Sequence, residues 1–367
     1  MKDSGDLAVI GIPFAAGVAA GAFLFPGPTG ISITFPLALS ALLALSSISA
    51  LFLLDNSSGY LVIRAAFASM FLAAGLFCSL NSVITGGIVI GDGPLTRMAL
   101  AGGARLKDVI DSIPYPSDVT GPLVKALVTG DRSGLGKDVV DVFRASGASH
   151  ILALSGLHLG VLYLLLSKLL VPLGNSPVAR MVKYVLTVGL SGLYALATGA
   201  SPSIVRAFLF ITIGETAKLT GRKRIPSRIL LAALTIQLAV KPEVITTLGF
   251  QLSYLAMTGI VLLYPKLERI YPEGGRIDPM RKIWQAAVLS VSCQVTTAPL
   301  VWLRFRTFPG YFLITNLTAL PLTSAVVVLS VTTIALYPMG ICPEILIRLN
   351  DLAAELLVSC LQTVSSM

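Results

Sequence analysis

Both histidines of the chain lie in one short block, Ala148–Gly160, together with two serines. Ser155 and His158 are three residues apart, so on a helix they share a face and could pair as nucleophile and base. His150 and His158 are eight residues apart, about 12 Å along a helix, which is too far for both to bind one metal ion. Two further interpretations stay open: Ser149 and Ser155 could hydrogen-bond across a close helix packing, or this block could line a polar path.

Polar side chains recur in the apolar stretches that follow. Arg206 lies about one turn inside its stretch, where a charged side chain is costly unless a carboxylate, carbonyl groups or water meet it. A snorkelling or paired arginine is the ordinary interpretation, and a fixed cation on an anion path is the functional one. The candidate path residues are Ser149, His150, Ser155, His158, Arg206, Gln251, Gln294 and Asn316.

A second group of basic residues lies beside aromatic ones. Arg304 and Arg306 flank Phe305 and follow Trp302, on a segment that we predict to face outward. Cations interleaved with rings suit a single nucleic-acid strand, and they equally suit an interfacial anchor. We therefore predict an outer DNA contact at the two arginines.

Several other chemistries are excluded or disfavoured. The segment 130–138 lacks the GxxxxGK[ST] pattern of a nucleotide-binding loop, because Asp131 replaces the first glycine and Asp138 the hydroxyl residue. The four cysteines are scattered with no CxxC pair, so neither a zinc site nor a disulfide framework is indicated. We expect no cofactor, no metal and no catalytic residue.

These residues must be positioned by helices in a membrane. The 367 residues are 55% hydrophobic and 12% charged, far below the charged fraction of about 25% in soluble domains. The predicted class is an all-α, polytopic membrane protein with about ten transmembrane helices and short amphipathic interfacial helices. The apolar stretches lie near residues 7–25, 31–54, 60–84, 148–171, 182–199, 203–219, 228–240 (short enough to be re-entrant), 244–264, 283–303 and 310–337.

Loop charge predicts the orientation. Five basic residues and no acid lie between Lys218 and Arg228, and alternate loops are also basic, which favours the cytoplasmic side for these loops and for the N-terminus. Residues 86–147 carry seven Lys or Arg and seven Asp and are predicted outside, with three short amphipathic helices lying flat on the surface. The predicted divisions are N-terminal membrane helices at 1–85, this external segment at 86–147, a channel domain at 148–340 and an amphipathic C-terminal helix at 341–367.

The motifs, in their order, resemble the ComEC-type competence family, membrane channels for DNA internalisation. The resemblance covers about residues 120–340, and its most distinctive part is the histidine block. The other matching segments are 127–135, 201–207, 248–254 and 294–300.

The resemblance implies transport of single-stranded DNA across the bacterial cytoplasmic membrane during natural transformation. Many relatives also carry an OB-like domain and a metallo-β-lactamase-like domain, and neither is expected here, because 86–117 is short and helical and no histidine follows His158. The expected partners are single-stranded DNA, the lipid bilayer, and a separate DNA receptor, nuclease and cytoplasmic motor or strand-binding protein; a homo-oligomer is possible. The alternatives are an intramembrane serine hydrolase using Ser155 and a small-solute secondary transporter, for which Glu215 is the candidate coupling carboxylate.

Overall fold

The computed structural model describes residues 4–25, 34–53, 60–85, 93–272, 278–306 and 310–366. Within these residues the chain forms sixteen α-helices, three short 3₁₀ turns and no strand, which confirms the all-α class. The helices are α1 Ser4–Leu24, α2 Thr34–Leu53, α3 Tyr60–Thr85, α4 Pro94–Ser112, α5 Thr120–Thr129, α6 Lys137–Ala145, α7 Ser149–Leu152, α8 Gly156–Leu169, α9 Pro177–Ala197, α10 Pro202–Leu219, α11 Pro226–Val240, α12 Leu248–Leu262, α13 Tyr264–Glu268, α14 Pro279–Phe305, α15 Phe312–Leu336 and α16 Glu344–Ser365.

Six of the described helices are long and apolar enough to cross a membrane, and they make the chain a polytopic membrane protein. The count of about ten spans and the sidedness of the loops remain predictions. Two apolar helices, α8 and α11, are shorter. The six long segments are Leu7–Leu24, Thr34–Leu51, Leu61–Thr85, Leu248–Glu268, Pro279–Phe305 and Phe312–Met339.

The chain divides into two compact units, residues 1–91 with 220–254 and residues 92–219 with 255–367. In the first unit, α1 and α3 cross at glycines. A Cβ on Gly17 would collide with the Leu72 carbonyl, and a Cβ on Gly75 would collide with the Phe14 carbonyl. Small residues of this kind let two helix backbones approach closely in a membrane, where packing rather than water exclusion holds helices together.

The second unit has its core around α5, α15 and α16. Leu123 and Leu127 of α5 are fully buried with Val326 of α15 and Leu357 of α16. The three short helices predicted in 86–147 are present, as α4, α5 and α6. The prediction that all three lie flat on the surface is wrong for α5, because seven of its ten residues are buried in this core.

Helix α16 buries two polar side chains within a mainly apolar face. The carboxylate of Asp351 accepts hydrogen bonds from the Thr120 hydroxyl at 2.5 Å and the Ser117 amide at 3.2 Å. Asn350 donates to Tyr115 and Ser330, both at 3.1 Å. The helix was expected at the interface or against the bundle, and it packs on α15.

The apolar stripe predicted for this C-terminal helix does not form its buried face. Only Leu357 of the five apolar residues is buried, whereas the other four are exposed; they are Ile345, Leu349, Leu352 and Leu356. The buried face is instead formed mainly by apolar residues, Ile347, Ala354, Leu357, Val358, Leu361 and Val364, together with the polar Asn350 and Asp351.

Candidate functional site

The histidine block is broken rather than a continuous span. The predicted stretch 148–171 divides into α7, an extended turn through Ala153 to Ser155, and α8. Helix α8 has 14 residues, about 21 Å, which is too short to cross a hydrocarbon layer of about 30 Å by itself. The expectation of one continuous helix is therefore corrected. Irregular backbone at membrane depth is tolerated where protein buries it or where it lines a wet cavity.

Ser155 and His158 cap the N-terminus of α8 reciprocally. The Ser155 Oγ accepts from the Leu157 amide at 3.2 Å, and the Ser155 amide donates to His158 Nδ1 at 3.1 Å. Because helix N-termini leave amide donors unsatisfied, this capping box is what allows the chain to start a helix here. The three-residue spacing did predict a contact between the two side chains, and their Oγ and Nδ1 atoms are 3.3 Å apart.

The cap also fixes the proton on the imidazole. Since Nδ1 accepts a backbone N–H, the neutral ring must carry its hydrogen on Nε2. His158 is 1% exposed, and no described residue of the chain accepts a hydrogen bond from its Nε2. His158 thus presents a buried donor with a fixed direction.

Arg206 lies against the first residue of α8. The residue is 9% exposed, and an ideal Cβ on Gly156 would be 2.9 Å from its Nη2 and 3.4 Å from the Ala207 Cβ. A larger residue at position 156 would push the guanidinium away. Leu159 and Ile204 pack beside this contact and join α8 to α10.

The turn before α10 is a glycine-dependent helix stop. The Gly199 amide donates to the Leu196 carbonyl at 3.1 Å and the Ala200 amide to the Ala195 carbonyl at 2.8 Å, which is a Schellman motif at the end of α9. Gly199 and Ala200 both have positive φ, 82° and 48°. The strained turn places Ser201 directly before Pro202, the first residue of α10.

A polar cleft lies at the other end of the same helices. The Tyr163 hydroxyl donates to Glu215 at 2.7 Å, and the Lys218 ammonium is 3.6 Å from the same carboxylate. The cleft holds about 250 Å³ and is also lined by Lys183 and Asn175. Sequence reasoning noted Glu215 but missed Tyr163, because the tyrosine is 52 residues away and no spacing rule connects them.

The remaining predicted path residues are not gathered at the α8–α10 contact by any described hydrogen bond. Ser149 and His150 are exposed on α7. Gln251 belongs to the first unit, where its amide donates to the Ile245 carbonyl at 2.8 Å. Asn316, on α15, has a buried Oδ1 with no partner among the described residues, and Gln294 is half-buried on α14.

The predicted outer contact residues lie at the C-terminal end of α14. Arg304 and Arg306 are exposed, and the Arg306 guanidinium lies 4.9 Å from the centre of the Trp302 ring. Such a cation–π pair keeps an arginine at a membrane surface or presents it to a ligand.

Asp131, in the segment 130–138, holds a turn. Its carboxylate accepts from Lys107 Nζ at 2.7 Å, the Ser133 hydroxyl at 2.7 Å and the Ser133 amide at 3.1 Å. These hydrogen bonds, the lysine first, hold the pKa of Asp131 well below its usual range. The side chain therefore orders the loop between α5 and α6.

This pKa predicts an acid dependence of stability. A carboxyl with a lowered folded-state pKa stabilises the fold above its unfolded pKa of about 3.9, and the contribution is lost as the pH falls below that value. We expect the wild-type melting temperature to fall more than that of Asp131→Asn between about pH 5 and pH 3. The difference should be below about 1 kcal/mol, since water screens this partly exposed pair. If the melting temperatures of the two proteins fell equally over this pH range, the stabilising role of the Asp131 carboxylate would be contradicted.

Comparison with known proteins agrees with the motifs. A family model described as Competence protein matches residues 127–367. ComE operon protein 3 of Bacillus subtilis (strain 168) is 29% identical over 194 residues, which are 53% of this chain and 23% of that protein. Competence protein ComA of Neisseria gonorrhoeae is 32% identical over 176 residues, 46% of this chain and 25% of that protein.

A third relative is an uncharacterized protein. YcaI of Escherichia coli (strain K12) is 23% identical over 219 residues, 59% of this chain and 28% of that protein. The matched stretch thus spans about a quarter of the length of each of these curated relatives, and no solved structure matches the chain. Because the family model covers 241 of the 367 residues, the chain belongs to the competence protein family, the ComEC type.

Proposed function

We propose that the chain takes part in DNA uptake and carries single-stranded DNA across the bacterial cytoplasmic membrane. The observation that carries this proposal is the buried guanidinium of Arg206 beside the broken α7–α8 segment, inside the stretch that the competence family model matches. A buried cation beside interrupted helix backbone is a feature of polar pathways in membrane proteins. The names of two curated relatives, a ComE operon protein and a competence protein, give the biological setting.

The physical task is to move one negative charge per nucleotide through hydrocarbon. An unaided phosphate cannot cross, so the path needs a hydrated, partly cationic lining. The proposed lining residues all belong to the second unit and are Ser149, His150, Ser155, His158, Arg206, Gln294 and Asn316; Gln251, in the first unit, stays a sequence prediction. Arg304 and Arg306 are the proposed outer contacts. Binding should be weak, independent of base sequence and sensitive to salt.

The step also needs partners. An inside-negative potential opposes inward movement by about 2.3 kcal/mol per charge per 100 mV. We therefore propose a separate cytoplasmic motor or strand-binding protein that pulls the strand, together with a separate receptor and nuclease. The N-terminus is proposed to be cytoplasmic, and a protease-protection assay on a terminal tag measures this directly.

We further propose that the chain breaks no covalent bond. The serine of the alternative hydrolase, Ser155, uses its Oγ as a helix cap, and its partner His158 uses Nδ1 in the same cap. A secondary transporter remains the other alternative, and the buried Glu215 with Tyr163 is the observation that favours it. That alternative requires Glu215→Gln to abolish transport of a small solute.

Two substitutions at position 155 separate the cap from a nucleophile. Ser155→Ala should destabilise the protein by about 1 kcal/mol, because the Leu157 amide loses its acceptor, whereas Ser155→Asn keeps a capping oxygen and should melt close to wild type. Ser155→Asn also lacks a nucleophile, and we expect it to support uptake of labelled DNA in a deletion strain. Cleavage of a peptide by the reconstituted wild-type protein that a stable Ser155→Asn protein has lost would favour the hydrolase.

A further inference from the structure

Helices α8 and α10 begin at the same end of the second unit. Gly156, the first residue of α8, contacts Arg206 and Ala207 in the second turn of α10. Further along, Tyr163 of α8 contacts Glu215 of α10, so the two helices run in the same direction. Two parallel helix dipoles therefore place their positive ends side by side, an arrangement that favours a negative charge there.

A buried donor at this end has no acceptor in the part of the chain that the structure describes. The capping box holds His158 in the first turn of α8 with its hydrogen on Nε2, and no described residue accepts it. A buried donor that is left unsatisfied destabilises the fold, so such a group usually has a partner. The side chain is 1% exposed, so bulk water does not supply the missing acceptor.

Two further groups of matching chemistry lie at the N-terminal ends of α8 and α10. Ser201, which directly precedes α10, has a buried Oγ with no partner among the described residues. Arg206 brings a permanent positive charge to the first residue of α8, and a guanidinium presents several N–H groups in a fork that suits phosphate oxygens. The cluster thus combines hydroxyl, imidazole and guanidinium donors with two helix N-termini.

We infer that this end of α8 and α10 is an anion subsite that binds a phosphodiester group through His158 Nε2–H, Ser201 and Arg206. The inference rests on the proposed function for its ligand, the backbone of single-stranded DNA. The subsite needs no base contact, because every group in it is a donor for non-bridging phosphate oxygens. A strand passing one nucleotide at a time would present a new phosphodiester to it at each step.

The roles of His158 as cap and as ligand donor can be separated by two substitutions. An asparagine places an oxygen near the position of Nδ1 and can keep the cap, but it has nothing at Nε2. A glutamine can place an N–H near Nε2 but loses the cap. His158→Asn should therefore lose affinity and keep stability, and His158→Gln should keep affinity and melt at a lower temperature than wild type.

The binding experiment uses the full chain in a phosphate-free, non-ionic detergent, so that the probe supplies the only phosphodiester. The probe is a fluorescent oligothymidylate, and a copy with an uncharged methylphosphonate backbone is the matched control. We expect His158→Asn to weaken binding of the charged probe about tenfold, as for a hydrogen bond to a charged group, and to leave the weak binding of the uncharged copy unchanged. Arg348→Gln is the control variant, because Arg348 is an exposed arginine that pairs with Glu344 on α16. Equal affinity of His158→Asn and wild type would overturn the subsite.

A spectroscopic experiment tests the anion subsite independently of DNA transport. In a His150→Gln background His158 is the only histidine of the chain. The ring ¹⁵N signals should report the Nε2–H tautomer, and inorganic phosphate, but not chloride at the same ionic strength, should shift the Nε2–H resonance. A resonance that phosphate does not move would mean that a trapped water satisfies the donor, which overturns the inference. A shift in a chain that imports no DNA would support the anion subsite while the transport proposal fails.

Discussion

Replacing Arg206 by glutamine should reduce uptake of labelled single-stranded DNA about tenfold or more. The buried guanidinium is the permanent cation that the described structure places at the break between α7 and α8, and charge-assisted hydrogen bonds contribute about 1.5–3 kcal/mol each. Glutamine keeps hydrogen-bonding capacity, but its side chain is shorter and carries no charge. The measurement is uptake by a deletion strain that expresses the variant, divided by the amount of protein in the membrane.

Two comparisons make the result specific. Arg348→Gln removes the charge of an exposed arginine, paired with Glu344 on α16, and should import DNA as wild type does. Arg206→Lys keeps the charge without the guanidinium fork and should fall between wild type and Arg206→Gln. Undiminished import by Arg206→Gln at wild-type protein levels would remove Arg206 from the path.

The largest effect on stability is expected at the crossing of α1 and α3. In Gly75→Ala the new Cβ would overlap the Phe14 carbonyl, a backbone atom that cannot rotate away, so the two helices must separate. Overpacking of this kind costs about 1–3 kcal/mol, and the rigid neighbour places this site at the upper end. The measurement is the thermal unfolding midpoint of purified protein in detergent.

Gly102 provides the matched control for that substitution. It also lies inside a helix, α4, and a Cβ there meets nothing within 4 Å. Gly102→Ala should be neutral or stabilising by up to about 1 kcal/mol, because alanine favours the helix more than glycine does. Equal melting temperatures of the two variants would show that α1 and α3 do not cross at Gly75.

Much of the helical content could be predicted from the sequence, because apolar runs and helical spacing are local signals. The spacing in 86–147 predicted α4, α5 and α6, and the three-residue spacing of Ser155 and His158 predicted their contact. The break before Ser155 was missed, although a serine followed by glycine inside an apolar run is a helix-start signal. The apolar residues on either side, Leu154 and Leu157, made the segment look like one continuous hydrophobic stretch.

Burial and long-range pairing could not be read from the same patterns. No local sequence pattern indicates that α5 is enclosed on almost all sides, or that Asp351 is paired with Thr120. The stripe of α16 has the correct period, but a period does not say which face meets protein when lipid can cover the other. For the candidate site, sequence patterns selected His158 and Arg206 but not Tyr163 or Ser201, whose roles depend on neighbours distant in the chain.

The pairing of Asp351 with Thr120 and Ser117 has a consequence for biogenesis. These partners are separated by 231 and 234 positions, so the ribosome must add all the intervening residues before the carboxylate exists. Until then the apolar side chains of α5 lack α15 and α16, the helices that enclose them. We therefore expect the insertion machinery to shelter this early segment until α15 and α16 have been synthesised and can enclose it.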